Sequence, residues 1–426
     1  MEQVIFMVKG LFYKSLRLIV LSLLLLLVAP SCNKDDGDEI IGDVDSTLIM
    51  FYPYSNTLIS DSTNNISDMK AVIASGVLDN ERVFVCFETS AGSATLYELQ
   101  YSKGSCKEVT YQTYTEGFTT KEAIETMFND VVALSPSASY SLLIGCHGMG
   151  WLPVYSSSSS QSSAAKSSPA YGYSNDSVTD YEQPHYMATD ENGNALTRYF
   201  GGTSAAYQID ISTLRDAIAD SKIGFFEYLL FDVCYMANIE VAYELRDVIG
   251  YLIASSAELM SYGLPYDTIA QCLFGEVDYK GIVDAAYDFY STYAFPYITL
   301  SVIDCRQTEA MAEIMKEINS EYTITSSKLS QVQSMDGYTP TIYYDMGSYV
   351  EQLCDDEALL SRFNQQLELL APSDYKIHTT YYFSGVTYRT YYIKSYSGVT
   401  ISDPSTNSSK DVTVDKVNTE WYKATH

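Results

Sequence analysis

Histidine and positive charge are both scarce in this chain of 426 residues. Only His147, His185, His378 and His426 are present, so few residues could act as the base in a histidine-dependent reaction. Lys and Arg number 25 against 54 Asp and Glu, and the net charge of −29 argues against a nucleic-acid-binding protein, because phosphate binding needs basic patches. The 46% hydrophobic and 19% charged content is typical of a globular protein, and the length is enough for one large α/β domain with an extension or for two domains.

Metal-binding motifs are also missing. The eight cysteines are scattered and form no CxxC pair, so we expect no zinc site. No DxDxDG loop of the kind that binds calcium is visible either. We therefore predict that the protein requires no metal or other cofactor.

The N-terminus has the features of an export signal. Lys9, Lys14 and Arg17 precede the apolar run LIVLSLLLLLVAP, which is too short to span a membrane comfortably. A small residue followed by Cys32 resembles a bacterial lipobox, and the acidic stretch NKDDGDEI resembles the surface-export signals of Bacteroidetes lipoproteins. We predict a signal peptide over 1–31, lipidation at Cys32 and an acidic linker over 32–45. The protein would then be a lipoprotein of the outer membrane or cell surface; the alternative is an ordinary cleaved signal and a periplasmic or secreted protein.

Strand and helix patterns alternate from residue 46 onwards. TLIMFY at 47–52 and RVFVCF at 82–87 are typical of buried strands, whereas NNISDMKAVIASG and TTKEAIETMFNDVVAL have apolar residues at helical spacing. Such alternation predicts an α/β fold with a mostly parallel sheet covered on both faces. A polar, Ser-rich insertion at about 155–205 is predicted to be disordered, and 306–426 is predicted to be a C-terminal α+β extension.

Two predicted strands end in groups that could carry chemistry. One ends at His147-Gly148, and the other at Asp232-Val233-Cys234, just before a helix predicted to begin near Ala237. The carboxyl ends of parallel strands meet at one edge of a sheet, and a Cys near a helix N-terminus is favoured as a thiolate. The N–H groups of Gly148 and Cys234 could bind an oxyanion. The alternative is a structural histidine and a cysteine buried as a small apolar residue.

Three segments together resemble the clostripain family of cysteine peptidases, whose fold is that of caspases, legumain and gingipains. They are HGMGW, within Gly145–Trp151, LLFDVCYMANIEVAYEL at 229–245 and ASSAELMSYGLPY at 254–266. The resemblance implies a caspase-like α/β/α sandwich with a mostly parallel central sheet over residues 46–305.

The same resemblance implies roles for individual residues. His147 and Cys234 would form the catalytic dyad, and Asp232 would select Arg or Lys before the scissile bond; the alternative for Asp232 is a helix-capping residue. The segment at 255–262 would form a wall of the pocket, with Glu258 and Tyr262 as candidate substrate-binding residues.

Members of the family are often processed between the His and the Cys, and some are activated by calcium. Lys166 and Arg198 are therefore candidate self-cleavage sites, whereas calcium has no motif to support it. We predict an exported, membrane-anchored, monomeric endopeptidase acting on proteins or peptides after a basic residue. The alternatives are a non-catalytic surface lipoprotein that binds peptide or glycan, and a regulator that cleaves only itself.

Overall fold

The computed structural model describes residues 44–152, 200–202, 204–339, 341–402 and 417–426. The strands, numbered β1 to β16 in chain order, are Val44–Tyr52, Glu81–Ser90, Ser93–Tyr101, Cys106–Tyr114, Ser137–Gly145, His147–Gly148, Phe200–Gly201, Gln208–Ile209, Phe226–Asp232, Ile249–Ala254, Thr299–Asp304, Tyr344–Asp345, Lys376–His378, Tyr381–Ser384, Arg389–Tyr392 and Thr400–Ile401. The α-helices, numbered α1 to α11, are Ile59–Ala74, Lys121–Leu134, Ile211–Asp220, Ile239–Leu245, Tyr266–Ile269, Tyr279–Thr292, Thr308–Glu321, Ser326–Leu329, Met346–Leu353, Glu357–Leu370 and Glu420–Thr425. Short 3₁₀ turns occupy Ala205–Tyr207, Ala270–Leu273, Cys305–Gln307 and Ser373–Tyr375.

A mixed sheet organises the fold. Within the described residues it has nine strands, in the order β13-β11-β10-β9-β5-β1-β2-β3-β4. The five central strands, from β10 to β2, run parallel, and antiparallel strands close both sides. The predicted α/β class with a largely parallel central sheet is confirmed.

The central strands are apolar on both faces, and helices cover each face. In β1, Ile49 and Phe51 belong to one hydrophobic core, whereas Met50 and Tyr52 belong to a second core on the opposite face of the sheet. Successive strand side chains point to opposite faces, so this run of buried residues requires cover on both sides. Helices α2, α3, α4, α7 and α10 contribute to the first core, and α1 and α6 to the second.

Two features differ from the predictions. The hairpin β3–β4 was not predicted, although both strands belong to the main sheet. Helix α4 begins at Ile239 rather than near Ala237, with Asn238 as its N-cap accepting from the Val241 N–H. The turn between β9 and α4 is therefore longer than expected.

The region after residue 305 is tied to the sheet and to that turn. Strand β13 pairs with β11 and so adds a strand to the main sheet. The Thr400 N–H, in β16, donates to the Ala237 carbonyl at 2.9 Å. This region therefore holds the backbone that follows Cys234.

The apolar run near the N-terminus, Cys32 and the Ser-rich tract up to residue 199 lie outside the described residues. In the part of the chain that the structure describes, no helix has both the length and the apolar character needed to cross a membrane.

Candidate active site

The sheet register brings the two predicted reactive groups to one edge. Strands β5 and β9 are parallel neighbours, and Gly145 lies opposite Asp232. His147 and Cys234 each follow two residues beyond this pair, where both strands have ended. Their proximity thus results from strand pairing, although they are far apart in the chain.

Both side chains line one open pocket of about 430 Å³, a volume that includes solvent at its mouth. Helix α1 forms one wall, the strand ends form the floor and the segment after β10 forms another wall. The lining residues are Tyr52, Leu58, Asp61, Ser62, Asn65, Gly145, Cys146, His147, Asp232, Val233, Cys234, Leu259, Met260, Ser261 and Gly263.

The imidazole of His147 is held by a hydroxyl from the loop before α1. Its Nε2 lies 2.6 Å from Oγ1 of Thr57, a residue that the sequence analysis did not single out. Burial lowers the pKa of His147 to about 4. The ring is therefore neutral at pH 7 and is able to accept a proton.

The thiol of Cys234 contacts the backbone of Leu259. Its Sγ accepts the Leu259 N–H at 3.3 Å and lies 3.7 Å from the Leu259 carbonyl oxygen. Burial raises the pKa of Cys234 to about 12, and the charge of Glu258 acts in the same direction. The expectation that a helix N-terminus lowers this pKa is wrong for this conformation: α4 begins five residues later, and desolvation dominates.

The turn after Cys234 is closely held. Tyr235 has a φ of 61°, a left-handed conformation that costs energy for a residue other than glycine. Its N–H donates to the Ala257 carbonyl at 3.1 Å, and the Ala237 N–H donates to the Ser255 carbonyl at 2.9 Å. These contacts keep the turn in the conformation that presents Cys234 to the pocket.

Asp232 is a buried acceptor at the floor of the pocket, only 8% exposed. Its carboxylate accepts from Nδ2 of Asn65, the Leu264 N–H and the Tyr266 hydroxyl at 2.9 to 3.2 Å. Burial raises the pKa of Asp232 to about 6, although the bonds from Tyr266 and Leu264 lower it. The carboxylate is thus mainly ionised at pH 7. These donors do not belong to α4, so the bonds do not support helix capping, the alternative that the sequence left open.

Gly148 lies directly beside His147 in β6 and pairs with Phe200 of β7. It is buried, and its lack of a Cβ keeps the backbone beside the imidazole free of a side chain. Gly148 is not itself among the residues that line the pocket, whereas Cys146, on the other side of His147 in the chain, is.

Two predicted pocket residues are not where they were expected. Glu258 and Tyr262 are not among the lining residues, although Leu259, Met260 and Ser261 of the same segment are. Glu258 is buried and accepts from the Tyr235 hydroxyl at 2.6 Å and the Gly385 N–H at 2.7 Å. The ring of Tyr262 stacks on Phe289 with centroids 4.8 Å apart.

The pocket residues from α1 were missed, and so were Leu264 and Tyr266, which donate to Asp232 from just beyond the predicted wall at 255–262. Ser62 and Asn65 are buried on the same face of α1 as Met69, so polar residues interrupt an otherwise apolar helix face. That interruption is a signal that the sequence carries. Leu264 and Tyr266 carry no such signal.

Three predicted residues, Cys32, Lys166 and Arg198, lie outside the described residues. Across the residues that the structure describes, no group of three or more His, Cys, Asp or Glu side chains could hold a metal ion. That the protein requires no metal stays a prediction.

The sequence pattern of the clostripain family, Peptidase_C11, matches residues 189–419. The chain is 43% identical to a secreted C11 cysteine protease of Bacteroides thetaiotaomicron, iotapain, with a TM-score of 0.77 over 90% of this chain and 99% of that one. It is 49% identical to a clostripain of Bacteroides thetaiotaomicron ATCC 29148 in complex with the peptide inhibitor BTN-VLTK-AOMK, with a TM-score of 0.51 over 54% of this chain and 99% of that one. An inactive zymogen C11 protease of Parabacteroides distasonis, 22% identical with a TM-score of 0.70 over 90% of this chain and 99% of that one, shares the fold.

Among curated proteins, no match to the chain is found. The fold and the family match define a cysteine protease, that is, a hydrolase. The chain belongs to the clostripain family, as its three sequence segments predicted.

Proposed function

We propose that this cysteine protease is an exported endopeptidase that cleaves after Lys or Arg, with Cys234 as nucleophile and His147 as acid and base. One observation carries the proposal. Cys234 and His147 follow neighbouring strand ends and line the same pocket, with Asp232 buried at its floor.

The chemistry starts from a neutral pair. With pKa values of about 12 for Cys234 and about 4 for His147, the thiol keeps its proton and the imidazole carries no charge at pH 7. As Sγ bonds to the substrate carbonyl carbon, the thiol proton passes to His147, which then donates it to the leaving amine. The C–N bond breaks and a thioester forms. Water, deprotonated by His147, hydrolyses the thioester and restores the thiol.

The charge that develops on the carbonyl oxygen needs hydrogen-bond donors. The backbone N–H groups of Gly148 and Cys234 are our candidates, because Gly148 directly follows His147 and Cys234 carries the attacking thiol. The missing side chain at Gly148 supports this role, since it leaves room for the substrate backbone.

A basic residue before the scissile bond suits Asp232. A buried carboxylate that is ionised at pH 7 lowers the cost of taking a cationic side chain out of water. The relative 49% identical to this chain is in complex with an inhibitor carrying the sequence VLTK, which ends in Lys. That inhibitor supports the same class of substrate here.

Export, anchoring and processing belong to the same proposal. The secreted relative, 43% identical, supports export. We propose lipidation at Cys32, self-cleavage at Lys166 or Arg198, and a monomer. Intact-mass measurement of the exported protein would detect the lipid and any cut, and analytical ultracentrifugation would give the oligomeric state.

The decisive test is Cys234→Ala, which should abolish hydrolysis of a Lys-containing peptide while leaving the thermal unfolding curve unchanged. Cys106→Ala is the matched control, because Cys106 is a half-buried free cysteine in β4, away from the pocket. Retained cleavage by Cys234→Ala would contradict the proposal. An irreversible thiol reagent on a basic peptide should label Cys234; a folded protein that neither labels nor cleaves would be a binding protein instead.

A further inference from the structure

We propose that the pocket selects Lys over Arg before the scissile bond, because Asn65 and Tyr266 occupy acceptor positions on Asp232 that an Arg side chain would need. This inference rests on the proposed function, in which Asp232 receives the basic side chain. It makes Asn65 and Tyr266 positioning residues that determine specificity, a role that sequence motifs did not suggest.

The two oxygens of the Asp232 carboxylate accept different numbers of hydrogen bonds. Oδ2 accepts from Nδ2 of Asn65 at 3.2 Å and from the Tyr266 hydroxyl at 2.9 Å. The Leu264 N–H is shared between the two oxygens, at 3.1 Å from Oδ1 and 3.2 Å from Oδ2. A carboxylate offers about four lone-pair positions, two on each oxygen. Both positions on Oδ2 are therefore taken, and the remaining capacity lies on Oδ1.

The orientation of this carboxylate is fixed by packing. Asn65 is 6% exposed on the inner face of α1, and Tyr266 is fully buried at the start of α5. A Cβ at Gly263 would collide with the carboxylate, so the backbone there lies directly against it. Rotation that would present both oxygens to the pocket would break the bonds to Asn65 and Tyr266.

Lys and Arg need different acceptors. The Arg guanidinium is a planar fork that binds a carboxylate best through two parallel N–H···O bonds, one to each oxygen. The Lys ammonium is a compact charge with three rotatable donors, for which one acceptor on Asp232 suffices. Asp61, Ser62 and Ser261 line the same pocket and supply oxygens for its other donors.

The test compares peptides that differ only in Lys, Arg or Ala before the scissile bond, at about pH 8, so that Asp232, with a pKa of about 6, is ionised. For the unaltered protein, kcat/KM for Lys should exceed that for Arg by about tenfold, the effect of one charge-assisted hydrogen bond. Asn65→Ala and Tyr266→Phe each free a position on Oδ2 and should bring this ratio towards one, mainly by improving the Arg substrate. Asn64→Ala, exposed on the same helix, is the matched control and should leave the ratio unchanged.

The possible results distinguish a failure of the proposed Lys preference from a failure of the proposed function. If both basic peptides are cleaved faster than the Ala peptide but Arg equals or exceeds Lys, the selectivity is wrong and the function stands. An unchanged ratio in both Asn65→Ala and Tyr266→Phe would also overturn it, and the second variant keeps the test valid if the first fails to fold. If neither basic peptide is cleaved faster than the Ala peptide, the proposed role of Asp232 fails as well.

Discussion

The turn that carries Cys234 has two very different sides. On the pocket side, His147 and Cys234 are half-buried, and each is held by contacts to one neighbour, Thr57 or Leu259. On the rear side, fully buried groups form a continuous network. Tyr235 donates to Glu258, which also accepts from Gly385 of the C-terminal region.

The rear network extends further along the C-terminal region. The rings of Tyr235 and Tyr343 stack with centroids 5.2 Å apart, and the carboxylate of Asp336 accepts the N–H groups of Tyr338, Ile342 and Tyr343 at 2.6 to 2.8 Å. Each of these contacts is buried or part-buried, where an unpaired partner costs more than at the surface.

This contrast suggests that the pocket side of the turn serves catalysis and the rear side serves stability. The two reacting groups, His147 and Cys234, have few partners, so they can exchange them when a substrate arrives. The rear side is rigid, so the strained turn after Cys234 keeps its shape. Substitutions on the pocket side should therefore change activity first, and those on the rear side should change stability first.

The largest effect is expected on the pocket side, from Asp232→Asn. It should lower kcat/KM for the Lys peptide by about a hundredfold or more, because removing one partner of a buried charge pair costs ~3 kcal/mol. The Ala peptide should be nearly unaffected, and Asp267→Asn, an exposed acidic residue of α5, is the control. An equal loss for the Lys and Ala peptides would mean that Asp232 supports the fold rather than selects substrate.

The pH dependence of kcat/KM tests the same role of Asp232. Since burial raises the pKa of Asp232 to about 6, kcat/KM for Lys should fall as the pH drops below about 6, and this limb should be absent in Asp232→Asn. The raised pKa has the opposite sign for folding: the stability that the protonated carboxyl contributes is present below its ordinary pKa of 3.8 and is lost as the pH rises to about 6.

The rear side should respond to Glu258→Ala with a loss of stability. The change leaves the Tyr235 hydroxyl and the Gly385 N–H without their buried acceptor, so the free energy of unfolding should fall by about 3 kcal/mol. Denaturant unfolding measures this, with Glu276→Ala at an exposed site as the control. Normal stability combined with lost activity would contradict the proposed roles of the two sides.

The smallest effect is expected from Thr57→Val, which removes the hydroxyl beside Nε2 of His147 but keeps the side-chain shape. The turnover number should fall about threefold, the effect of one hydrogen bond at a partly exposed site, and Thr57→Ser should restore it. Thr63→Val is the control, because its hydroxyl donates to the Ile59 carbonyl on α1. An unchanged turnover number would show that Thr57 does not orient the imidazole.

The parts of the molecule that the sequence predicted well are those with strong local patterns. The alternation of apolar strands and amphipathic helices indicated β1, α1, β2, α2 and β5. The predicted meeting of His147 and Cys234 follows from the ends of β5 and β9, since the carboxyl ends of parallel strands lie at the same edge of a sheet. Local patterns were enough to predict these elements, and one rule of sheet geometry was enough to predict that the two side chains meet.

The donors to Asp232 could not be predicted, because Asn65 and Tyr266 are distant in sequence and meet only through packing. Glu258 was expected near the pocket, yet it is turned inwards towards the Tyr235 hydroxyl, a contact that depends on the left-handed conformation of Tyr235. The predicted low pKa of Cys234 is wrong because α4 begins two residues later than predicted and because burial, which has no local pattern in the sequence, raises the pKa of the thiol.

Because β5 and β9 lie on either side of residues 153–199 and hydrogen-bond to each other, the sheet would join the two halves of this protein even if the backbone were interrupted between them. Each half carries one reacting group and is incomplete alone. Two separately expressed polypeptides, one ending at residue 152 and one beginning at residue 200, would form a split enzyme in which proteolysis reports fragment complementation.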